Sequence, residues 1–187
     1  MALHLVRHGP PLVDPSIPRA EWRLAPEAPD AIGALRSAGV LPAGAAWFVS
    51  PEPTAIQTAD LLGPDSYEVV EDLREQERAG GWVEDFDTAV IRALRDPALP
   101  AVLGWEPAAD TQERVVAAVR KITVRAMLRG HDDVVLVGHG TAWTLLVAAL
   151  TDAPPDTSAW QAMGLPDVCV IDGAEVASPW AAWRPGA

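Results

Sequence analysis

Short apolar runs alternate along this chain with longer stretches of helical period, and glycine or proline punctuates the joins. Leu3 to Val6 is apolar and β-compatible, and it ends at Arg7-His8-Gly9-Pro10-Pro11, where glycine and two prolines force a turn. The stretch from Pro10 to Pro29, with further prolines at 11, 15, 18 and 26, reads as an ordered surface loop. A helix follows over Asp30 to Ala38 and stops at Gly39. Ala46 to Val49 is a second strand, and Ser50-Pro51-Glu52-Pro53 is its exit loop. Thr54 to Leu62 predicts a helix with Ala55, Ala59 and Leu62 on one face, ended by Gly63-Pro64. Tyr67 to Val70 reads as a third strand, and the charged run Glu71 to Arg78 after it as a solvated face.

Phe86 to Leu94 and Thr111 to Leu128 have helical spacing, the second with Val115, Val116, Val119, Ile122 and Met127 around one broad face. Val134 to Val137 is apolar throughout, as suits the middle of a parallel sheet covered on both faces, and Gly138-His139-Gly140 follows at its carboxyl end. Thr141 to Leu150 predicts a buried helix and Asp167 to Ile171 one more strand, while the tail from Ser178 carries little that can be read. This alternation implies an α/β fold: a three-layer sandwich with a mostly parallel central sheet flanked by helices. Binding groups should collect at the carboxyl ends of its strands.

Composition narrows the function. A length of 187 residues predicts one domain over 1–187, and 49% hydrophobic against 21% charged residues is the balance of a packed chain rather than a disordered one. A net charge of −12 argues against nucleic acid and anionic membranes as partners, because both need a basic face. The lone cysteine, Cys169, makes neither an internal disulfide nor a cysteine-based zinc site and reads as a small buried hydrophobe. Arg7 and His8 interrupt the first apolar stretch before a signal peptide's core is complete, and no window approaches a transmembrane span. A soluble, cytoplasmic chain is expected.

Two histidines stand at analogous places, His8 after the first strand and His139 after the apolar strand, each beside a glycine that lets backbone and ligand approach closely. With Arg7 attached they form a candidate catalytic pair. Leu5-Val-Arg-His-Gly9 and Val137-Gly-His-Gly140 resemble the histidine phosphatase, or phosphoglycerate mutase-like, superfamily. Ser50-Pro51 followed by Ala55-Ile-Gln-Thr-Ala59 is similar to that family's Ser-Pro-x-x-Arg-Ala-x-x-Thr-Ala stretch. Leu73-Arg-Glu75 before a Gly-Trp pair is similar to its acid-bearing loop. Gly104-Trp-Glu106 and Glu113-Arg114 resemble its later Gly-Glu-Ser and Arg-bearing region.

The resemblance implies a phosphoglycerate mutase-like fold and a phosphatase that needs no metal or other cofactor. His8 would take the phosphoryl group covalently, Arg7 and His139 would bind and stabilise it, and Glu75 would act as general acid. That last role requires a raised pKa, and so a Glu75 that faces the pocket. Gly9, Thr54 and Gly140 complete the expected phosphate-binding set. The short chain favours the phosphatase branch over the mutase branch. Its substrate would be small and phosphorylated: a simple ester, a nucleotide-like or sugar phosphate, or else a phosphohistidine protein.

Thr54 stands where the family has a second phosphate-binding arginine, with smaller departures at Ala25, Ala28 and Pro107. Two lost charge-assisted hydrogen bonds correspond to about 3–6 kcal/mol, or roughly 10²–10⁴ in rate. Arg19, Arg23 or Arg74 are candidates to replace the charge, with Arg78 a minor candidate for substrate contact. The alternative reading is a pseudophosphatase that binds a phosphorylated ligand and turns over negligibly. His4, His131 and Glu77 read as structural or solvated residues, Trp47 and Trp143 as core, and Trp22, Trp82 and Trp105 as walls of a substrate pocket.

Overall fold

The computed structural model describes residues 1–183, so the last four residues of the 1–187 domain reading lie outside the described residues. Among the described residues six strands form one sheet: β1 (Ala2–Arg7), β2 (Ala46–Val49), β3 (Glu68–Val69), β4 (Asp133–Gly138), β5 (Asp167–Asp172) and β6 (Glu175–Ser178). Their order is β3-β2-β4-β1-β5-β6. The β3-β2-β4-β1 part is parallel throughout, whereas β5 runs antiparallel to β1 and β6 antiparallel to β5.

The helices are α1 (Ala28–Ser37), α2 (Pro53–Leu62), α3 (Phe86–Arg95), α4 (Ala108–Leu128), α5 (Gly140–Leu150) and α6 (Thr157–Ala162). Alternation along the strands decides which helices cover which face. Leu5, Phe48, Val134 and Leu136 point to one side, where Val90, Val119, Ile122 and Trp143 from α3, α4 and α5 cover them. Val6, Val49, Val135 and Val137 point to the other, against Ile32 and Leu35 of α1 and Ala55, Ala59 and Leu62 of α2. The central strand β4 is therefore buried on both faces, the reason it reads as an unbroken apolar run.

Helix α6 and strand β6 have no counterpart in the sequence reading, and β3 is two residues where four were expected. Trp143 is fully buried, with its indole N–H donated to the Val6 carbonyl at 2.9 Å, but Trp47 is only partly buried. Cys169 is buried as expected, and burial pushes its thiol up to about 12. Among the described residues no helix is long and apolar enough to cross a membrane.

Candidate active site

Because β1, β2 and β4 are parallel, their carboxyl ends meet at one edge of the sheet. The hydrogen-bond ladder continues one residue past each strand: the His8 amide donates to the Gly138 carbonyl and the Ser50 amide to the Val137 carbonyl, both at 2.9 Å. His8, Ser50 and His139 are thereby held side by side. The site is a cavity of about 110 Å³ bordered by Arg7, His8, Glu52, Thr54, Glu75, Arg78, His139 and Gly140, and also by Arg19, Trp22, Phe86 and Thr141.

The Nδ1 of His8 lies 2.7 Å from the Gly9 carbonyl, which can only accept, so the proton sits on Nδ1 and the Nε2 lone pair is free. Burial, then the neighbouring His139 and Arg7, lower the His8 pKa to about 3. The ring is neutral at physiological pH, as a nucleophile must be. The His139 ring stands 5.2 Å away at 60°, its Nε2 2.7 Å from Ser50 Oγ and 3.6 Å from a Glu52 oxygen. Burial outweighs the attraction of Glu75 and brings His139 down to about 4.

Two guanidinium groups border this cavity, each with a buried Nε that has no partner among the described residues. Arg7 donates from Nη1 to the Met163 carbonyl at 3.0 Å, yet its buried Nε has no partner. Arg78 donates from Nη2 to Thr141 Oγ1 at 2.7 Å and lies 3.8 Å from Glu75, and its buried Nε is likewise unpartnered. A buried unpaired donor is costly. The solvated reading of the charged run is thus corrected at Arg78. An antiparallel bridge between Arg78 and Trp105 draws it inward, and its guanidinium rests about 5 Å from the Phe86 and Trp105 rings.

Glu77 in the same run is exposed, as expected. Of the expected substitutes for the missing arginine, Arg74 pairs with Asp72 and Glu77, Arg23 is exposed, and Arg19 borders the cavity with its guanidinium 3.7 Å over Phe86. Thr54 is buried and borders the cavity from the first turn of α2.

The Glu75 side chain faces the cavity, but the expectation of a raised pKa is reversed. Burial alone would raise it, yet Arg78, His139 and amide hydrogen bonds from Gln76 and Thr141 hold it at about 2. The raised carboxyl is Glu52, lifted to about 7 by burial and by the charge of Glu75. Nothing in the sequence singled out Glu52 beyond its place in the exit loop of β2. Gly9 does not border the cavity: its N–H is donated to Thr58 Oγ1, and a Cβ there would sit 2.7 Å from Ile32, so close packing on α1 explains the glycine. Gly140 does border it, and a Cβ there would lie 3.2 Å from Arg7 Nε.

Glu106 and Arg114 do not border the cavity but hold the loop that carries Glu75. Arg114 forms a two-pronged pair with Glu106 and donates to the carbonyls of Asp72, Arg74 and Glu75 at 2.8–3.0 Å. Trp22 walls the site, while Trp82 and Trp105 wall an adjoining cavity of about 200 Å³ that shares Arg19, Trp22 and Arg78 with it. Trp105 is also a core residue. His4 sits in β1 beside Asp133, and His131 donates to the Gly44 carbonyl, both away from the site.

The family model for the histidine phosphatase superfamily (branch 1) matches residues 3–178. No curated protein matches the chain. Among solved structures, YhfR of Bacillus stearothermophilus superposes with a TM-score of 0.73 at 24% identity, covering 97% of this chain and 96% of that one. TTHB049 of Thermus thermophilus gives 0.70 at 24%, over 97% and 99%. Mycobacterial glucosyl-3-phosphoglycerate phosphatase gives 0.69 at 24%, over 99% and 96%, and has also been solved in complex with VO3.

Proposed function

The chain belongs to the histidine phosphatase superfamily, and from that membership we propose that it is a metal-independent phosphatase that hydrolyses a small phosphate monoester through a phosphohistidine on His8. The observation that carries this reading is the His8 ring itself: neutral, with Nδ1 committed to the Gly9 carbonyl and Nε2 free on a cavity that two guanidinium groups also border. In-line transfer needs a nucleophile, positive donors around the equatorial oxygens and a proton for the departing oxygen. Nε2 is the nucleophile. Arg7, Arg78 and His139 hold the phosphoryl group, and a carboxyl on the same cavity supplies the proton.

The cavity of about 110 Å³ suits a phosphoryl group, and the leaving alcohol would lie toward the neighbouring space walled by Trp22, Trp82 and Arg19. The pseudophosphatase alternative rests on the charge lost at Thr54, and Arg78 on the same cavity weakens that premise. Incubation with a phosphate ester followed by quenching should leave acid-labile, base-stable phosphate on the protein, and vanadate should compete. His8→Ala should abolish both label and turnover; label that survives in the variant overturns the nucleophile assignment.

A further inference from the structure

We infer that the cavity adjoining the His8 site receives an anionic group carried by the alcohol part of the substrate, and that Arg19 is the residue that selects for it. The inference rests on the phosphatase reading above and deepens it: the preferred substrate is a phosphate monoester that bears a second, singly charged anion, rather than the ester of a neutral alcohol.

The charge lining that cavity is opposite in sign to the chain around it. The protein carries 26 acidic residues against 14 basic ones. Yet the lining of the adjoining cavity of about 200 Å³ includes Arg19 and Arg78 and, among the described residues, no aspartate or glutamate. The His8 cavity differs, since Glu52 and Glu75 border it together with the arginines. Arg19, Trp22 and Arg78 border both spaces, so an ester seated at His8 has this positively charged space beside it.

The two arginines are not equally free. Arg78 lies 3.8 Å from Glu75 and donates to Thr141 Oγ1 at 2.7 Å and to Gln76 Oε1 at 3.3 Å. Arg19 makes no ion pair and no hydrogen bond among the described residues. Ring faces hold its guanidinium instead, at 4.6 Å from the Trp22 ring centre, 5.0 Å from that of Trp82 and 3.7 Å from that of Phe86. Stacking of this kind engages the faces of the planar group and leaves the N–H donors of its edges, which match an oxyanion as a fork. Local structure fixes the placement. Arg19 opens a single 3₁₀ turn in which the Trp22 amide donates to the Arg19 carbonyl at 3.1 Å, and the Trp22 indole donates to the Asp14 carbonyl at 2.9 Å. Burial and the charge of Arg78 lower Arg19 to about 10, with Asp87 acting on it only at longer range, so it is a cation at neutral pH.

A neutral alcohol would suit this cavity poorly. Pressed against Arg19, it would strip water from a cation that has no acid at ion-pair distance, a cost that the ring faces offset only in part. An anionic group meets the same cation with charge-assisted hydrogen bonds. One positive charge without an acidic partner calls for one negative charge, and the indoles of Trp22, Trp82 and Trp105 around it lower the local dielectric, which strengthens the attraction.

Calorimetric titration with ω-carboxyalkyl phosphonates of increasing chain length, each beside its neutral carboxamide, tests this. A phosphonate has a phosphate-like head but is not hydrolysed, so binding is read without turnover. The wild type should bind the best-fitting acid about tenfold or more tighter than its amide. Arg19→Met keeps an apolar stem against the rings and should bring acid and amide to equal affinity, whereas Arg19→Lys should keep part of the preference. Acid and amide bound alike by the wild type at every length, or neither bound, overturns the inference, and so does a preference that survives in Arg19→Met. An Arg19→Met variant that weakens both probes by the same factor places Arg19 on the phosphoryl oxygens and overturns it as well. The corresponding phosphate esters should show the same preference in kcat/KM. A wild-type protein that binds the acids selectively yet never labels at His8 sinks the phosphatase reading and leaves the anion site, so the two failures are distinguishable.

Discussion

At Thr54 the cavity lacks a planar fork of charged donors, and a threonine hydroxyl offers only one neutral hydrogen bond in its place. Arg78 reaches the same cavity from the opposite loop, with an unpartnered Nε and its plane resting on aromatic rings. Hydrogen bonds to charged groups contribute about 1.5–3 kcal/mol, so Arg78→Met should weaken vanadate binding roughly tenfold to hundredfold by calorimetric titration. Thr54→Arg alone should weaken binding too, because the small cavity already carries Arg7, Arg19 and Arg78. The double variant Thr54→Arg/Arg78→Met should recover part of the loss. Tighter binding in Thr54→Arg alone would show that Arg78 leaves the vacancy open. The histidines and Arg7 were legible because each directly adjoins a strand end. Arg78 and Glu52 were not: Arg78 is turned inward by a bridge to Trp105, far along the chain, and Glu52 differs from a loop carboxylate only through the burial that folding imposes.

The elements that read clearly from sequence are those with an apolar pattern to read. Strand β4 and helix α5 are buried nearly throughout, and α2 and α4 present regular apolar faces. Helix α6 has six residues, too few to display a period, and is capped by Asp156, whose side chain accepts the Ser158 and Ala159 amides. Strand β6 is an exposed edge with no apolar face, held by its pairing to β5. Between elements, Arg114 of α4 fixes the Glu75 loop by three carbonyl contacts and the Glu106 pair, both side chains being nearly buried. Removing one partner of such a pair leaves the other charge uncompensated, so Arg114→Ala should cost about 3–5 kcal/mol in denaturant unfolding. Phosphohistidine formation should fall as well under conditions where the variant stays folded, since the same loop carries Glu75 and Arg78. Full labelling in a destabilised variant would confine Arg114 to the fold.

For the molecule as a whole, the groups gathered at one sheet edge tie folding stability to pH with opposing signs. His8 and His139 are held neutral, at about 3 and about 4, below the ordinary histidine value. The unfolded chain therefore binds more protons than the folded one as pH falls below about 6.5, and stability falls with it. Glu52 acts oppositely. Its pKa is raised from 4.5 to about 7, so between those values the folded state holds a proton that the unfolded state has released, and stability falls as pH rises. Glu52→Gln removes only that contribution, while the histidines and the remaining carboxylates are common to both proteins. The stability of the variant relative to wild type should thus rise with pH by about 1.4 kcal/mol per unit within that window, and by about 3 kcal/mol in all. Urea unfolding of the two proteins on either side of the window measures this difference directly. Parallel curves would mean that Glu52 titrates in the fold as it does in water, and that the burial and the neighbouring Glu75 charge do not hold its proton.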